Sequence, residues 1–232
     1  MIVVYSATRN LYPYLNAAIG SLLEHNDARV IVLAEDDDIA CKYPVDVINV
    51  SDQTYFPPNS ANYNGAFTYM SMMRLMYVDL LPGIDRVIQL DVDTIVCDSL
   101  LPIWEMDLTG KWFAACPEYR GNYHPFGDDP SIRYYNVGVM VVNIEQMRND
   151  GMVPDMVDYL NRVRLWCTEQ DVLNLFATEH RKAADIPVRF NETQFTGESA
   201  TPAVVHYAGY PRWYDANVPR SEYLKAAREK HG

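Results

Sequence analysis

Residues 86–94 read Arg86-Val87-Ile88-Gln89-Leu90-Asp91-Val92-Asp93-Thr94. The run 86–91 predicts a strand, and it leads into two carboxylates spaced i, i+2. Side chains alternate along a strand, so this spacing predicts both acids on one side, at the strand's carboxyl end. Ligands of open α/β sheets bind at that end. Two like charges held so close repel, and a divalent cation between them relieves the repulsion. Such an oxygen-rich pair suits Mg²⁺ or Mn²⁺, with water or a diphosphate completing the shell. The plainer reading is that one Asp caps a turn and the other is solvated, because Asp-x-Asp alone is a common pattern.

The flanking sequence supplies a sheet for this strand. Residues 2–6 and 30–34 are short apolar runs, 45–50 alternate, and 14–23 carry apolar residues at helical spacing. Strand, helix, strand, strand in that order predicts an α/β domain with a parallel sheet. Residues 66–81 predict the most apolar helix, with Arg74 the only charge between Ala66 and Val78. A lone cation there is expensive to bury unless paired, and otherwise snorkels to the surface. Residues 138–144 predict a strand apolar on both faces, as in the middle of a covered sheet. Further helices are predicted at 152–165, 169–178 and 220–231, and loops at 52–64 and 117–135. Thr168 and Asp171 have the spacing of a capping box, with Thr168 as N-cap; Glu169 and Gln170 would then point out of the helix mouth. No repeat or boundary divides the chain, so residues 1–232 are expected to form one domain.

Charge narrows the partners. There are 19 Lys+Arg against 31 Asp+Glu, a formal charge of −12. Nucleic-acid affinity needs cations to displace counterions from phosphates, so DNA and RNA are excluded as expected partners. A phosphate ester remains open to an acidic protein that holds a metal ion. Cys41, Cys97, Cys116 and Cys167 form no CxxC pair and are expected as thiols in a reducing cytosol. The apolar start is too short for a signal-peptide core, and no window reaches the ~20 apolar residues of a membrane helix. A cytoplasmic location with no integral membrane segment is therefore expected. On that expectation the glycosylation patterns at Asn49-Val50-Ser51 and Asn191-Glu192-Thr193 are coincidental. Residues 220–232 hold four Lys/Arg and two Glu, too balanced for strong membrane binding, which leaves peripheral attachment open.

Two known families place Asp-x-Asp after an apolar strand. Haloacid-dehalogenase-type phosphatases use the first Asp as nucleophile, but normally continue Gly-Thr and carry the motif near the N-terminus. Here Thr94-Ile95-Val96 follows, and three strand-like segments come first. Four other segments point elsewhere. Tyr69-Met70-Ser71-Met72-Met73-Arg74-Leu75 leads into Leu80-Leu81-Pro82-Gly83-Ile84-Asp85-Arg86. Tyr135-Asn136-Val137-Gly138-Val139, Glu169-Gln170-Asp171-Val172-Leu173-Asn174 and His206-Tyr207-Ala208-Gly209 follow downstream. In this order and spacing they resemble glycosyltransferase family 8, from about residue 2 to about residue 214.

The resemblance implies the glycosyltransferase A-type fold: a single, mostly parallel central sheet flanked by helices. A Rossmann-like nucleotide-binding half would span 1–116, a donor-sugar and acceptor half 117–214, and a C-terminal helix 215–232. Asp91, Asp93 and His206 become the implied metal ligands, and an imidazole among oxygens moves the preference from Mg²⁺ toward Mn²⁺. Arg74 is placed against the donor sugar and the acids of the site. Glu169 and Gln170 fall near the sugar's β face, and with Arg74 they are the implied catalytic residues. Asn136 would read sugar hydroxyls or hold a turn, Val92 lies between the two acids of the donor motif, and Gly138 permits close backbone approach. Gly209 offers an N–H to phosphate, and Arg212, in place of the family's Lys, would grip phosphate through its guanidinium. Ser6, Thr8 and Asn10 fall around the uracil.

Besides Arg212, this sequence departs from the family pattern at two positions near the donor. Glu169 replaces an Asp and reaches one methylene further. Thr8 stands where an acid usually accepts from the uracil N3–H, so a hydroxyl or backbone carbonyl would accept instead. The implied activity is metal-dependent transfer of a hexose from UDP-glucose or UDP-galactose to an unidentified hydroxyl acceptor, with retention and an α-linkage. The two departures motivate an alternative, a non-catalytic nucleotide-sugar binder; the phosphatase ranks third. Tyr119, Tyr123, His124, Phe126 and Tyr134 either stack on an acceptor sugar or pack their own loop.

Overall fold

Alternation along short apolar runs sorts the side chains of this protein to the two faces of one sheet. The computed structural model describes residues 1–64, 67–118, 133–210, 213–214 and 217–232. Its strands are β1 (Ile2–Ala7), β2 (Arg29–Ala34), β3 (Asp46–Asn49), β4 (Arg86–Leu90), β5 (Thr94–Val96), β6 (Phe113–Pro117), β7 (Tyr135–Asn143), β8 (Ala183–Asp185) and β9 (Val204–His206). Its helices are α1 (Tyr12–His25), α2 (Tyr69–Met72), α3 (Tyr77–Leu80), α4 (Leu101–Trp104), α5 (Ile144–Asp150), α6 (Val153–Arg162), α7 (Thr168–His180) and α8 (Ser221–His231).

Seven strands form a sheet in the order β3-β2-β1-β4-β7-β6-β8. Only β7 runs against the others, antiparallel to β4 and β6, so the sheet is mostly parallel. Val3, Tyr5 and Ala7 of β1 pack with Leu15, Ile19 and Leu22 of α1, whereas Val4, with Ile31 and Leu33 of β2, joins Met72 and Met76 on the opposite face. The chain moves outward from β1 through β2 to β3 and returns to β4 on the other side of β1. The strand order therefore reverses between β1 and β4, and a crevice opens beyond their carboxyl ends.

Several elements differ from the sequence reading. The apolar segment expected as one helix over 66–81 is α2 and α3 separated by a 3₁₀ turn, Met73–Met76, which carries Arg74; Ala66 lies outside the described residues. The strand expected at 138–144 begins at Tyr135 and ends at Asn143, whose side chain accepts from the Gln146 N–H at 3.0 Å and caps α5. The N-cap of α7 is Cys167, not Thr168, and Thr168 holds φ of 39°, a strained value for a β-branched residue. Asp171 keeps a capping role, because its Oδ2 accepts from the Cys167 N–H at 2.9 Å. Of the expected loop 117–135, Pro117 and Tyr135 belong to strands, and Tyr119, Tyr123, His124 and Phe126 lie outside the described residues.

The C-terminal segment is docked. Leu224, Ala227 and His231 of α8 are buried, and a Cβ on Gly20 of α1 would lie 2.3 Å from the His231 ring. The four cysteines form no disulfide. Among the described residues no helix is long and apolar enough to cross a membrane.

Candidate functional site

The two aspartates are not on a strand. β4 ends at Leu90, and Asp91 to Thr94 form a turn in which the Thr94 N–H and hydroxyl reach the Asp91 carbonyl at 3.2 and 2.7 Å. The turn, not strand alternation, brings the carboxylates together. β5 then pairs antiparallel with β9, with Thr94 opposite His206, and the Tyr207 N–H donates to the Asp93 carbonyl at 2.9 Å. His206 Nε2 consequently lies 3.2 Å from Asp93 Oδ1 and 3.8 Å from Asp91 Oδ2. One ligand atom from each of Asp91, Asp93 and His206 falls within 4.8 Å of the others.

Gly138 makes room for this cluster. A Cβ there would sit 2.1 Å from His206 Cε1 and 2.8 Å from Asp91 Oδ2. Alternation along β7 slips at this point, since Val137 and Met140 share one face and Val139 takes the other. The slip coincides with the register shift against β6 between Ala115 and Cys116. Two carboxylates, one imidazole and a wall without a side chain fit a divalent cation with oxygen and nitrogen ligands.

Arg74 does not snorkel. It is buried, and its Nη2 donates to Asp91 Oδ1 at 2.7 Å, its Nη1 to the Val137 carbonyl at 2.9 Å and its Nε to the Ser71 carbonyl at 3.1 Å. Burial disfavours its charge, but Asp91 and Glu169 outweigh that and hold the guanidinium protonated. Burial pushes the Asp91 carboxyl up, the Arg74 guanidinium offsets part of that rise, and repulsion from Asp93 adds a smaller push upward. Burial lowers the His206 imidazole, yet the Asp93 and Asp91 charges raise it further. The His206 shift reports the negative charge of the turn, which a divalent cation would neutralise.

Glu169 and Gln170 turn inward rather than out of the helix mouth. Glu169 is buried, its Oε2 accepts from Ser71 Oγ at 2.7 Å and Thr168 Oγ1 at 2.5 Å, and its Oε1 lies 3.5 Å from Arg74 Nε. Gln170 accepts from the Val137 N–H at 3.0 Å and donates to Glu118 Oε1 at 3.2 Å and Tyr134 Oη at 3.1 Å. Tyr134, considered above as a stacking residue, donates to Asp171 at 2.5 Å. The Asn136 amide is likewise engaged, accepting from the Gly138 N–H at 3.0 Å and donating to Glu118 Oε2 at 2.7 Å.

A cleft of 270 Å³ opens beside the turn, lined by Ser6, Thr8, Arg74, Asp91, Val92, Asp93 and Trp213 among others. Asn10 is exposed and outside that lining, and its Oδ1 accepts from the Thr8 hydroxyl at 2.5 Å. Gly209 holds φ of 80°, and a Cβ there would meet Gln194 Nε2 at 2.7 Å. Arg212 lies outside the described residues. Two buried or half-buried residues of the site carried no signal of a role there: Glu118, and Asn191, marked only by a glycosylation pattern, whose Oδ1 lies 2.8 Å from His206 Nδ1.

Comparison with known proteins fits this arrangement. A crystal structure of an active-site mutant of LgtC matches with a TM-score of 0.75 at 22% identity, covering 100% of this chain and 96% of that one. Galactosyltransferase LgtC in complex with donor and acceptor sugar analogues matches with a TM-score of 0.73 at 21% identity, with the same coverage. The fold is thus of the glycosyltransferase A type. The sequence model of glycosyl transferase family 8 matches residues 2–213, and the chain belongs to that family. Membership sets aside the haloacid-dehalogenase reading. A putative glycosyltransferase of Haemophilus influenzae is 21% identical over 75% of this chain. The probable galacturonosyltransferase-like 4 of Arabidopsis thaliana is 32% identical over 44% of it. This chain covers 58% and 31% of the lengths of those two relatives.

Proposed function

We propose that this chain is a divalent-metal-dependent, retaining glycosyltransferase that moves a hexose from a UDP-sugar to a hydroxyl acceptor, leaving an α-linkage. The observation that carries the reading is the convergence of Asp91, Asp93 and His206 at the topological switch point, beside a cleft that Arg74 also lines. Asp91, Asp93 and His206 would hold Mn²⁺ or Mg²⁺. The cation, when bound, supplies charge neutralisation to a diphosphate leaving group.

The residues themselves divide the remaining work. Arg74 fixes Asp91 through its 2.7 Å ion pair and stops the carboxylate turning away from the cleft. Ser6 and Thr8 line the end of the cleft where a base would lie, and the Thr8 hydroxyl or a neighbouring carbonyl would accept from the uracil N3–H. Gln170 and Glu169 stand behind the donor sugar. Glu169 already accepts from Ser71 and Thr168 and faces Arg74, which makes it a poor nucleophile. That favours a front-face path in which the departing phosphate oxygen takes the acceptor's proton, with no protein base. Arg212 would steady the diphosphate.

LgtC with donor and acceptor analogues supports a nucleotide-sugar donor and a saccharide acceptor, and the Arabidopsis relative adds a uronic acid to the candidate sugars. The test is a screen of UDP-glucose, UDP-galactose and UDP-galacturonate for hydrolysis with and without Mn²⁺. Metal-dependent release of UDP from one donor is the expected result. Tight Mn²⁺–UDP binding with no turnover of any donor would identify a non-catalytic binder instead.

A further inference from the structure

Behind His206 lies an unbroken line of side-chain hydrogen bonds. His206 Nδ1 faces Asn191 Oδ1 at 2.8 Å. Asn191 Nδ2 donates to Asn136 Oδ1 at 2.9 Å, and Asn136 Nδ2 donates to Glu118 Oε2 at 2.7 Å. The other Glu118 oxygen accepts from Gln170 Nε2 at 3.2 Å. His206, Asn191, Asn136 and Gln170 are all buried, and Asn191 and Asn136 are reached from distant parts of the chain.

The direction of every bond in this line follows from its ends. An ionised carboxylate accepts and cannot donate, so the group that Asn136 presents to Glu118 must be its NH₂. Its oxygen then faces the other way, where the Gly138 N–H, a donor only, meets it at 3.0 Å. An oxygen at that place requires Asn191 to present its own NH₂. Asn191 therefore turns its oxygen to His206, and the imidazole must carry its proton on Nδ1. The lone pair is left on Nε2, the nitrogen 3.2 Å from Asp93 Oδ1.

We propose that Asn191 is a positioning residue that, oriented through Asn136 by the Glu118 carboxylate, holds His206 with Nε2 as the open nitrogen toward Asp91 and Asp93. The proposal rests on the reading of those three residues as a metal site. Partners on the far nitrogen of a ligating histidine set its tautomer and ring orientation, and their loss costs about 10–100-fold in metal affinity. Asn191 has no part in touching a substrate; it acts through His206. The same line ends on Gln170, so the residue behind the donor sugar and the ligand of the cation share one anchor, Glu118.

The test uses ¹⁵N-histidine-labelled full-length protein without metal, at a pH above the imidazole range, together with Mn²⁺ titration followed by electron paramagnetic resonance. Wild type should show His206 protonated at Nδ1. Asn191→Leu should mix the tautomers and weaken Mn²⁺ binding by about tenfold or more. Asn191→Asp retains an oxygen for Nδ1 and should restore both the tautomer and Mn²⁺ affinity, while the lost NH₂ contact to Asn136 lowers donor hydrolysis. Circular dichroism checks that each variant is folded. A wild-type His206 protonated at Nε2 overturns the proposal. So does a folded Asn191→Leu that keeps the wild-type tautomer and Mn²⁺ affinity, or an Asn191→Asp that loses the tautomer. Wild type protonated at Nδ1 that binds no Mn²⁺, with or without UDP, supports the hydrogen-bond assignment and overturns the metal reading.

Discussion

Thr94 and His206 are direct partners in the antiparallel β5–β9 ribbon. This pairing joins a turn after the fourth strand to a residue more than a hundred positions further along, and it makes a cluster out of two aspartates and a histidine. The Tyr207 N–H bonded to the Asp93 carbonyl locks the register, because a slip by one residue would turn the imidazole to the opposite face.

Removing one donor atom from the cluster tests it directly. Asp93→Asn should abolish Mn²⁺-dependent turnover while the circular dichroism spectrum stays that of wild type. His206→Ala should weaken Mn²⁺ and UDP together by at least tenfold, about 1.4 kcal/mol, because a diphosphate completes the same shell. Calorimetric titration reads both affinities, and wild-type values in His206→Ala would reduce the histidine to a packing residue.

Gly138→Ala probes the wall of the site. The added methyl would start 2.1 Å from His206 Cε1, so the ring or β7 must move. Overpacking of this kind costs about 1–3 kcal/mol. Denaturant melts should show that loss, and Mn²⁺ titration should show weakened binding as well. A variant with wild-type stability and Mn²⁺ affinity would mean that His206 is free to move aside.

Product stereochemistry tests the retaining assignment. A UDP-α-sugar should yield an α-linked product, read from the anomeric coupling in the proton NMR spectrum. A β-linkage would exclude the front-face path.

Far from the cleft, Asp150 makes a prediction about acid stability. Its Oδ2 accepts from Trp112 Nε1 and Lys182 Nζ, both at 2.6 Å. Burial raises its carboxyl, but these donors outweigh burial and hold it below the usual carboxylate range. A depressed folded-state value adds stability above the unfolded value of about 3.9, and that stability is lost as pH falls through the folded one. Asp150→Asn should cost about 1 kcal/mol at neutral pH, and its deficit should shrink as the pH drops below about 4. Thermal melts across that range give the comparison, and a deficit that stays constant with pH would remove the ion pair as its cause.

Much of the fold was readable from local pattern. The β-branched runs of β1, β2 and β4, the helical spacing of α1 and the order of the elements already specify a mostly parallel sheet, because periods of 2 and 3.6 are local properties of the chain. The motifs around Asp91, Asp93, Asn136, Gln170 and His206 identified the family for the same reason: each is a short segment with its own composition. Geometry was another matter. Strand alternation suggested how Asp91 and Asp93 sit together, whereas a turn closed by Thr94 does it. Helical propensity suggested one helix through Arg74, whereas a 3₁₀ turn carries the guanidinium to Asp91. Asn191 had no mark in the sequence beyond a glycosylation pattern, yet it is buried against His206, and Glu118 gave no signal at all. Their roles depend on hydrogen bonds between residues 15, 55 and 18 positions apart. Such bonds form only after the sheet and the β5–β9 ribbon have closed, since the orientation of a buried amide is set by whichever donors and acceptors tertiary packing places around it.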